Sequence, residues 1–228
     1  MPELRTNSCR RFGHPEFRLW FDTEGTIVSD VHWLLETLEA LVALGHRHAD
    51  GESFQVGWIV CLLRETAESE LSLLEPDMGH LPVQWRDSVT HTLLHLRLQR
   101  DTFASYFSSA DPSFPSMVES RLVCSRLDAT TMPMLSRFDP AGHDSGWWFG
   151  CADPAHDHND PGELRRVSLF EAIVTVNACP LPWLAMPPGV AVDLSSPRFR
   201  VYQEKVELHA SPGSLCEAKR THPTAPAN

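Results

Sequence analysis

Long apolar runs are missing from this 228-residue chain. None approaches the roughly 18 uninterrupted residues that a membrane-crossing helix needs. The opening MPELRTNSCRRFGHPEF has no apolar segment behind its basic residues, so no signal peptide is expected and the cytoplasm is the expected location. Paired cysteine motifs are missing too. Cys9, Cys61, Cys124, Cys151, Cys179 and Cys216 are scattered without a CxxC, several of them inside apolar runs. They read as free thiols acting as small hydrophobes in a reducing compartment. GxSxG, HExxH, the Walker loop and GxGxxG are all absent, so no motif argues for an enzyme. Positive charge is scarce: 19 Lys+Arg stand against 30 Asp+Glu, for a net charge of −11. Such a chain is poorly suited to phosphate backbones, which are gripped by cations that release counterions, so no nucleic-acid partner is expected. A cationic partner suits it better, although an acidic balance also serves solubility alone.

What is present is an ordinary globular mix, 42% apolar and 21% charged, long enough for two compact units. In the first, EFRLWF reads as a strand. Val31, Leu34, Leu35, Leu38, Leu41 and Val42 then lie on one face of a helix, with Ser29 as its N-cap and Gly45 as its stop. FQVGWIVCL alternates like a central strand, ELSLLEPD reads as its partner ending at Pro76, and PVQW as an edge piece. DSVTHTLLHLRLQRDTFASYF predicts a second helix capped by Asp87 or Ser88, with Val89, Leu93, Leu96, Phe103 and Phe107 along one stripe. His91 and His95, spaced i and i+4 on it, read as a polar flank because no third ligand lies nearby in sequence.

SSADPSFPS, residues 108–116, is the expected linker. The second unit then runs through a strand at SRLVCSRL, a turn-rich stretch with Pro133 and Pro140, and the short strand GWWFGC, with Trp147 and Phe149 on one side. Ser168 and Glu171 form a capping box that predicts a helix in ELRRVSLFEAIVTVN. CPLPWLAMPPG breaks it, VAVDL and FRVYQEKVEL close the unit as two strands, and the polar end reads as a loose tail. The expected architecture is α+β: an N-terminal unit at 1–112, a C-terminal unit at 113–208 and a tail at 209–228, each unit a mixed or antiparallel sheet packed by one or two helices.

The densest chemistry lies in HDSGWWFGCADPAHDHND, residues 143–160. His143, Asp144, Cys151, Asp153, His156, Asp157 and His158 are all competent metal ligands. However, DPAHDHNDPG is bounded by prolines and reads as an exposed turn, so neither metal nor cofactor is expected. Adjacent His143, Asp144 and Ser145 lack the spatial logic of a nucleophilic triad. DSGW reads instead as a corner of the fold: Asp144 turns its carboxylate onto the backbone two residues on, Gly146 permits the turn, and Trp147 is buried. Of the two tryptophans, which alternate, one is expected inside and the other at least partly exposed. The acidic loop behind them would then sit on a rigid base, where recognition surfaces are common.

DSGWWFG at 144–150, the acidic loop after it and NACPLPWLAMPPG at 177–189 resemble the family of polymorphic-toxin immunity proteins numbered thirty-three, over about residues 120–203. Members of that family carry an acidic, tyrosine-containing loop where this chain has ADPAHDHND. The resemblance implies a bacterial, cytoplasmic, non-enzymatic protein that binds and neutralises a cognate toxin. By its charge that toxin would be basic. The expected contact residues are Asp144, Trp147, Trp148, Asp153, His156, Asp157, His158, Asp160 and Arg165, with Arg166 beside them. Two rivals stand against this reading: a metal-dependent hydrolase built on His143, Asp144, His156 and His158, and a housekeeping interaction adaptor.

Overall fold

The apolar face of residues 31–42 needs a sheet to cover it, and the computed structural model supplies one. It describes residues 1–153, 155–196 and 198–221. Helix α1 (Val28–Ala43) buries Val31, Leu34, Leu35, Leu38 and Val42, each contributing about 1.5–3 kcal/mol of apolar burial. Its N-cap is the extended Ile27, without a side-chain cap, so the expected cap Ser29 lies inside the first turn. Gly45, at φ 97°, ends the helix as expected.

The first sheet comprises β1 (Glu3–Arg5), β2 (Phe17–Trp20), β3 (Ser53–Val56), β4 (Ile59–Glu65), β5 (Leu71–Pro76) and β6 (Trp85–Arg86). Its order is β1-β2-β5-β4-β3 with β6 on β5; β2 and β5 run parallel and the other pairs antiparallel. The segment expected to be one central strand, FQVGWIVCL, is a hairpin. Val56 pairs with Ile59 around Gly57, whose φ of 61° suits a two-residue turn. The turn changes which residues face inward: Ile59, Cys61 and Leu63 are buried, while Val60 and Leu62 are only half-buried. Helix α2 (Thr90–Ala104) follows, and of its two candidate caps Ser88 accepts from the Thr90 N–H at 3.1 Å.

The chain divides into two compact units, Met1–Leu96 and Arg97–Asn228, so the boundary falls within α2 and not in residues 108–116. The physical reason is that the last turns of α2 pack into the second unit. Gln99 Nε2 donates to the Leu181 carbonyl at 3.0 Å, and Ser105 accepts at its backbone carbonyl from the Ser211 N–H at 2.7 Å.

The second sheet holds β7 (Ser120–Cys124), β8 (Met134–Arg137), β9 (Asp144–Gly150), β10 (Leu164–Ser168), β11 (Val190–Asp193), β12 (Arg200–Gln203) and β13 (Val206–Leu208). Its order is β10-β7-β9-β8-β11-β12-β13, with only β7 and β9 parallel. Three expectations change here. The residues ahead of the capping box form β10, and the helix that Ser168 caps is only a short α3 (Leu169–Glu171) that runs on as a π turn at Ala172–Val176. FRVYQEKVEL is a hairpin turning at Glu204 and Lys205, both at positive φ. The expected loose tail includes α4 (Leu215–Thr221), where Cys216 is buried and its N–H donates to Ser105 Oγ at 3.3 Å.

The DSGW corner forms as the sequence predicts. Asp144 Oδ1 accepts from the Gly146 N–H at 2.9 Å, and Gly146 adopts φ 77°. A Cβ at that position would lie 2.1 Å from the Phe138 carbonyl oxygen, so only glycine fits.

Candidate functional site

Parallel pairing of β7 with β9 sets Leu122 opposite Trp148 and Val123 opposite Phe149. Both strands therefore end on the same edge of the sheet, where one chain leaves at Cys124 and the other at Cys151. The loop after β9 then folds back over that edge. Val123, Phe149, Cys124 and Cys151 are buried, and the loop inserts His156 among them with 6% of its surface exposed.

The result is a cluster of Cys124, Cys151, His156 and His158 whose donor atoms all lie within 4.8 Å of one another. His156 Nδ1 is 3.2 Å from Cys124 Sγ and 3.2 Å from Cys151 Sγ; His158 Nε2 is 3.4 Å from Cys151 Sγ. The two imidazoles are 4.6 Å apart, and His158 meets the half-buried Trp148 edge-on at 5.1 Å. Outside the cluster, Glu163 Oε2 lies 3.0 Å from His156 Nε2 and accepts the Ser125 hydroxyl at 2.6 Å. Those two bonds, the serine's first, hold the Glu163 carboxyl below its ordinary range. The Arg126 N–H donates to Cys124 Sγ at 3.4 Å. Burial raises the Cys151 thiol and, together with the neighbouring His156, lowers the His158 imidazole.

The described residues of DPAHDHNDPG are exposed as expected, save the two histidines: His156 is buried and His158 half-buried. His156 is thereby withdrawn from the expected contact residues, its ring turned onto the two cysteine sulfurs, whereas His158 keeps part of its surface accessible. Trp147 is withdrawn as well, being 1% exposed with its Nε1 donating to the Leu184 carbonyl at 3.2 Å. Of the pair, Trp147 is the inner tryptophan and Trp148 the half-buried one. Asp144 is occupied as well, half-buried, capping Gly146 and ion-paired with Arg166. His143 and Asp144 stand at the start of β9 and the cluster beyond its end, so the four residues of the hydrolase rival are not brought together. Ser145 is buried and donates to the Ser120 carbonyl at 3.0 Å, so its hydroxyl is engaged by the backbone of β7.

Asp153, Asp157, Asp160 and Arg165 are exposed. The three aspartates repeat one local device, each accepting from the backbone N–H two residues on (Ala155, Asn159 and Gly162) at 2.9 Å. The loop is held by its own side chains while its carboxylates face solvent. Asp153 also pairs with the exposed Arg126 at 2.9 Å. Beside it lies a shallow cleft of about 430 Å³ lined by Arg126, Thr131, Met132, Cys151, Asp153 and Ser195. Cys124, Arg126, Met132 and Glu163 were not singled out from sequence. The available signal was that SRLVC and GWWFGC both end an apolar strand on cysteine.

No helix among the described residues is long and apolar enough to cross a membrane. No family model, curated protein or solved structure matches the chain.

Proposed function

We propose that this chain is a cytoplasmic, non-catalytic binding protein of the immunity type, which neutralises a basic toxin by covering it. The observation that carries this reading is the run of three self-capped aspartates at 153, 157 and 160, a preformed anionic loop on a rigid sheet edge. A loop already ordered before encounter loses little conformational freedom on binding. Exposed carboxylates attract a cationic surface and raise the association rate more than they deepen affinity. The exposed Met132 beside the loop offers an apolar anchor, and Arg165 an exposed cation on the β10 edge. The residues that resemble the immunity family support the same reading, and the net charge of −11 agrees with a basic partner.

The test is to search the adjacent reading frame for a toxin module, co-express the chain with it, and measure binding kinetics on the purified pair; a neighbouring frame without one counts against the reading. Changing Asp153, Asp157 and Asp160 together to lysine is expected to slow association at least about tenfold and to weaken its salt dependence. Unchanged association by a folded triple variant, or turnover of a substrate by the chain alone, overturns the reading.

A further inference from the structure

We propose that Cys124, Cys151, His156 and His158 bind one zinc ion, as a structural site that fastens the 152–160 loop to the carboxyl ends of β7 and β9. The proposal goes beyond the binding role above and does not depend on it.

Four donors of the right kind converge. A tetrahedral zinc site has Zn–S near 2.3 Å and Zn–N near 2.0–2.1 Å, which makes the edges of the tetrahedron about 3.3–3.8 Å long. The S···N separations of 3.2, 3.2 and 3.4 Å already lie close to that size, and no donor pair exceeds 4.8 Å. A mixed set of two sulfurs and two imidazole nitrogens selects zinc over the hard cations, which prefer oxygen.

The surroundings are those of a metal site and not of a chance polar pocket. Glu163 takes the Nε2–H of His156, which leaves the Nδ1 lone pair aimed at both sulfurs. This is the carboxylate–imidazole arrangement that fixes the tautomer of a ligating histidine. The Arg126 N–H also points at Cys124 Sγ, a backbone donor that helps to fix the position of that sulfur.

Without a cation the cluster closes only through weak S–H donors, Cys124 to His156 Nδ1 and Cys151 to His158 Nε2. The thiols of Cys124 and Cys151 both face the single lone pair of His156 Nδ1, which can accept from only one of them. Zinc replaces these weak bonds. The two thiols each release a proton to solvent, the two thiolates offset the 2+ charge, and both imidazoles ligate as neutral bases. The buried site is then uncharged, as a buried site should be. Four protein ligands leave no open position for water or substrate, so the site is structural and not hydrolytic.

The full chain, purified without chelator under reducing conditions, is expected to carry about one zinc per molecule by elemental analysis. Chelator-treated protein titrated with Co²⁺ should develop thiolate charge-transfer absorption and the strong visible bands of a tetrahedral ion. Both signals should disappear in Cys124→Ser and His158→Ala and persist in Cys179→Ser, whose cysteine lies outside the cluster. Glu163→Gln should retain the spectrum with an affinity lowered about 10- to 100-fold. The proposal is overturned if the reduced wild-type chain neither holds zinc nor yields a thiolate–cobalt spectrum, or if Cys124→Ser binds the ion as tightly as wild type. A Cys124–Cys151 disulfide in protein kept under reductant overturns it as well. Toxin binding without metal would leave this result unchanged, so failure here and failure of the binding reading can be told apart.

Discussion

The indole N–H of Trp147 donates to the carbonyl oxygen of Leu184 at 3.2 Å, across 37 residues of chain. The segments DSGWWFG and NACPLPWLAMPPG are therefore one physical unit. Arg137 reinforces it: its guanidinium donates to the carbonyls of Ser113, Leu184 and Met186. Trp147→Phe keeps most of the apolar volume and removes the donor. It is expected to destabilise the chain by about 1–3 kcal/mol, read as a lower denaturation midpoint in urea with an unchanged slope.

Gly146→Ala places a methyl group against the Phe138 carbonyl in a backbone conformation at φ 77°. Strain and collision act together there, and a loss of about 2–4 kcal/mol is expected. Gly45→Ala, also at positive φ but with open space around its Cβ, should cost only about 1 kcal/mol. Thermal melts of the two variants check the order, and equal losses would contradict the close approach at the DSGW corner.

Arg121 is fully buried on β7, with its guanidinium 3.9 Å from the centre of the Phe149 ring. Among the described residues none of its three guanidinium nitrogens has a hydrogen-bond partner, and burial lowers its pKa to about 9. A charge kept inside with so little compensation adds little stability. Arg121→Met, which preserves the length of the side chain, is expected to leave the melting temperature unchanged or to raise it. Arg121→Ala should lower it by opening a cavity. A fall in the methionine variant as large as that in the alanine variant would mean the guanidinium holds a partner.

Acid sensitivity of the first unit should centre on His95, packed 6.0 Å from Trp58 and 6.1 Å from the parallel ring of His91. Burial, then the charge of His91, lowers its pKa from 6.5 to about 4. Glu75 faces this pair, its carboxylate 4.0 Å from His91 Nδ1. A folded state that binds the proton less readily than the unfolded one is favoured above pH 6.5, and that advantage is lost as pH falls toward 4. At about 1.4 kcal/mol per unit the ceiling is about 3 kcal/mol. Urea midpoints measured across this interval should fall more steeply for wild type than for His95→Leu; identical pH profiles would contradict the assignment.

Features set by neighbouring residues were legible in the sequence: the apolar stripe of α1, its stop at Gly45, the capping of Gly146 by Asp144, and Ser168 with Glu171. Each depends on residues within one or two turns of each other. The features that escaped depend on distant partners. Gly57 reads as an interruption of an alternating strand until Val56 is seen to pair with Ile59. The final turns of α2 look like the end of the first unit until Gln99 is seen to meet Leu181. Cys124 looks like a lone apolar thiol because its companions come 27 or more residues later, and only the parallel register of β7 with β9 unites them. The prolines around His156 and His158 read as marks of exposure, and nothing local indicates that the two rings fold inward.

The register of β7 with β9 also carries a kinetic consequence. Cys124 and the three donors that follow β9 are separated by two intervening strands, β8 and β9, so no short fragment contains a complete donor set. Small zinc modules nucleate around their ion from ligands close in sequence; here the ion has no place to sit until two distant strands have found each other. On the ribosome, the cluster can close only after His158 has emerged, making it a late fastening of a sheet already formed.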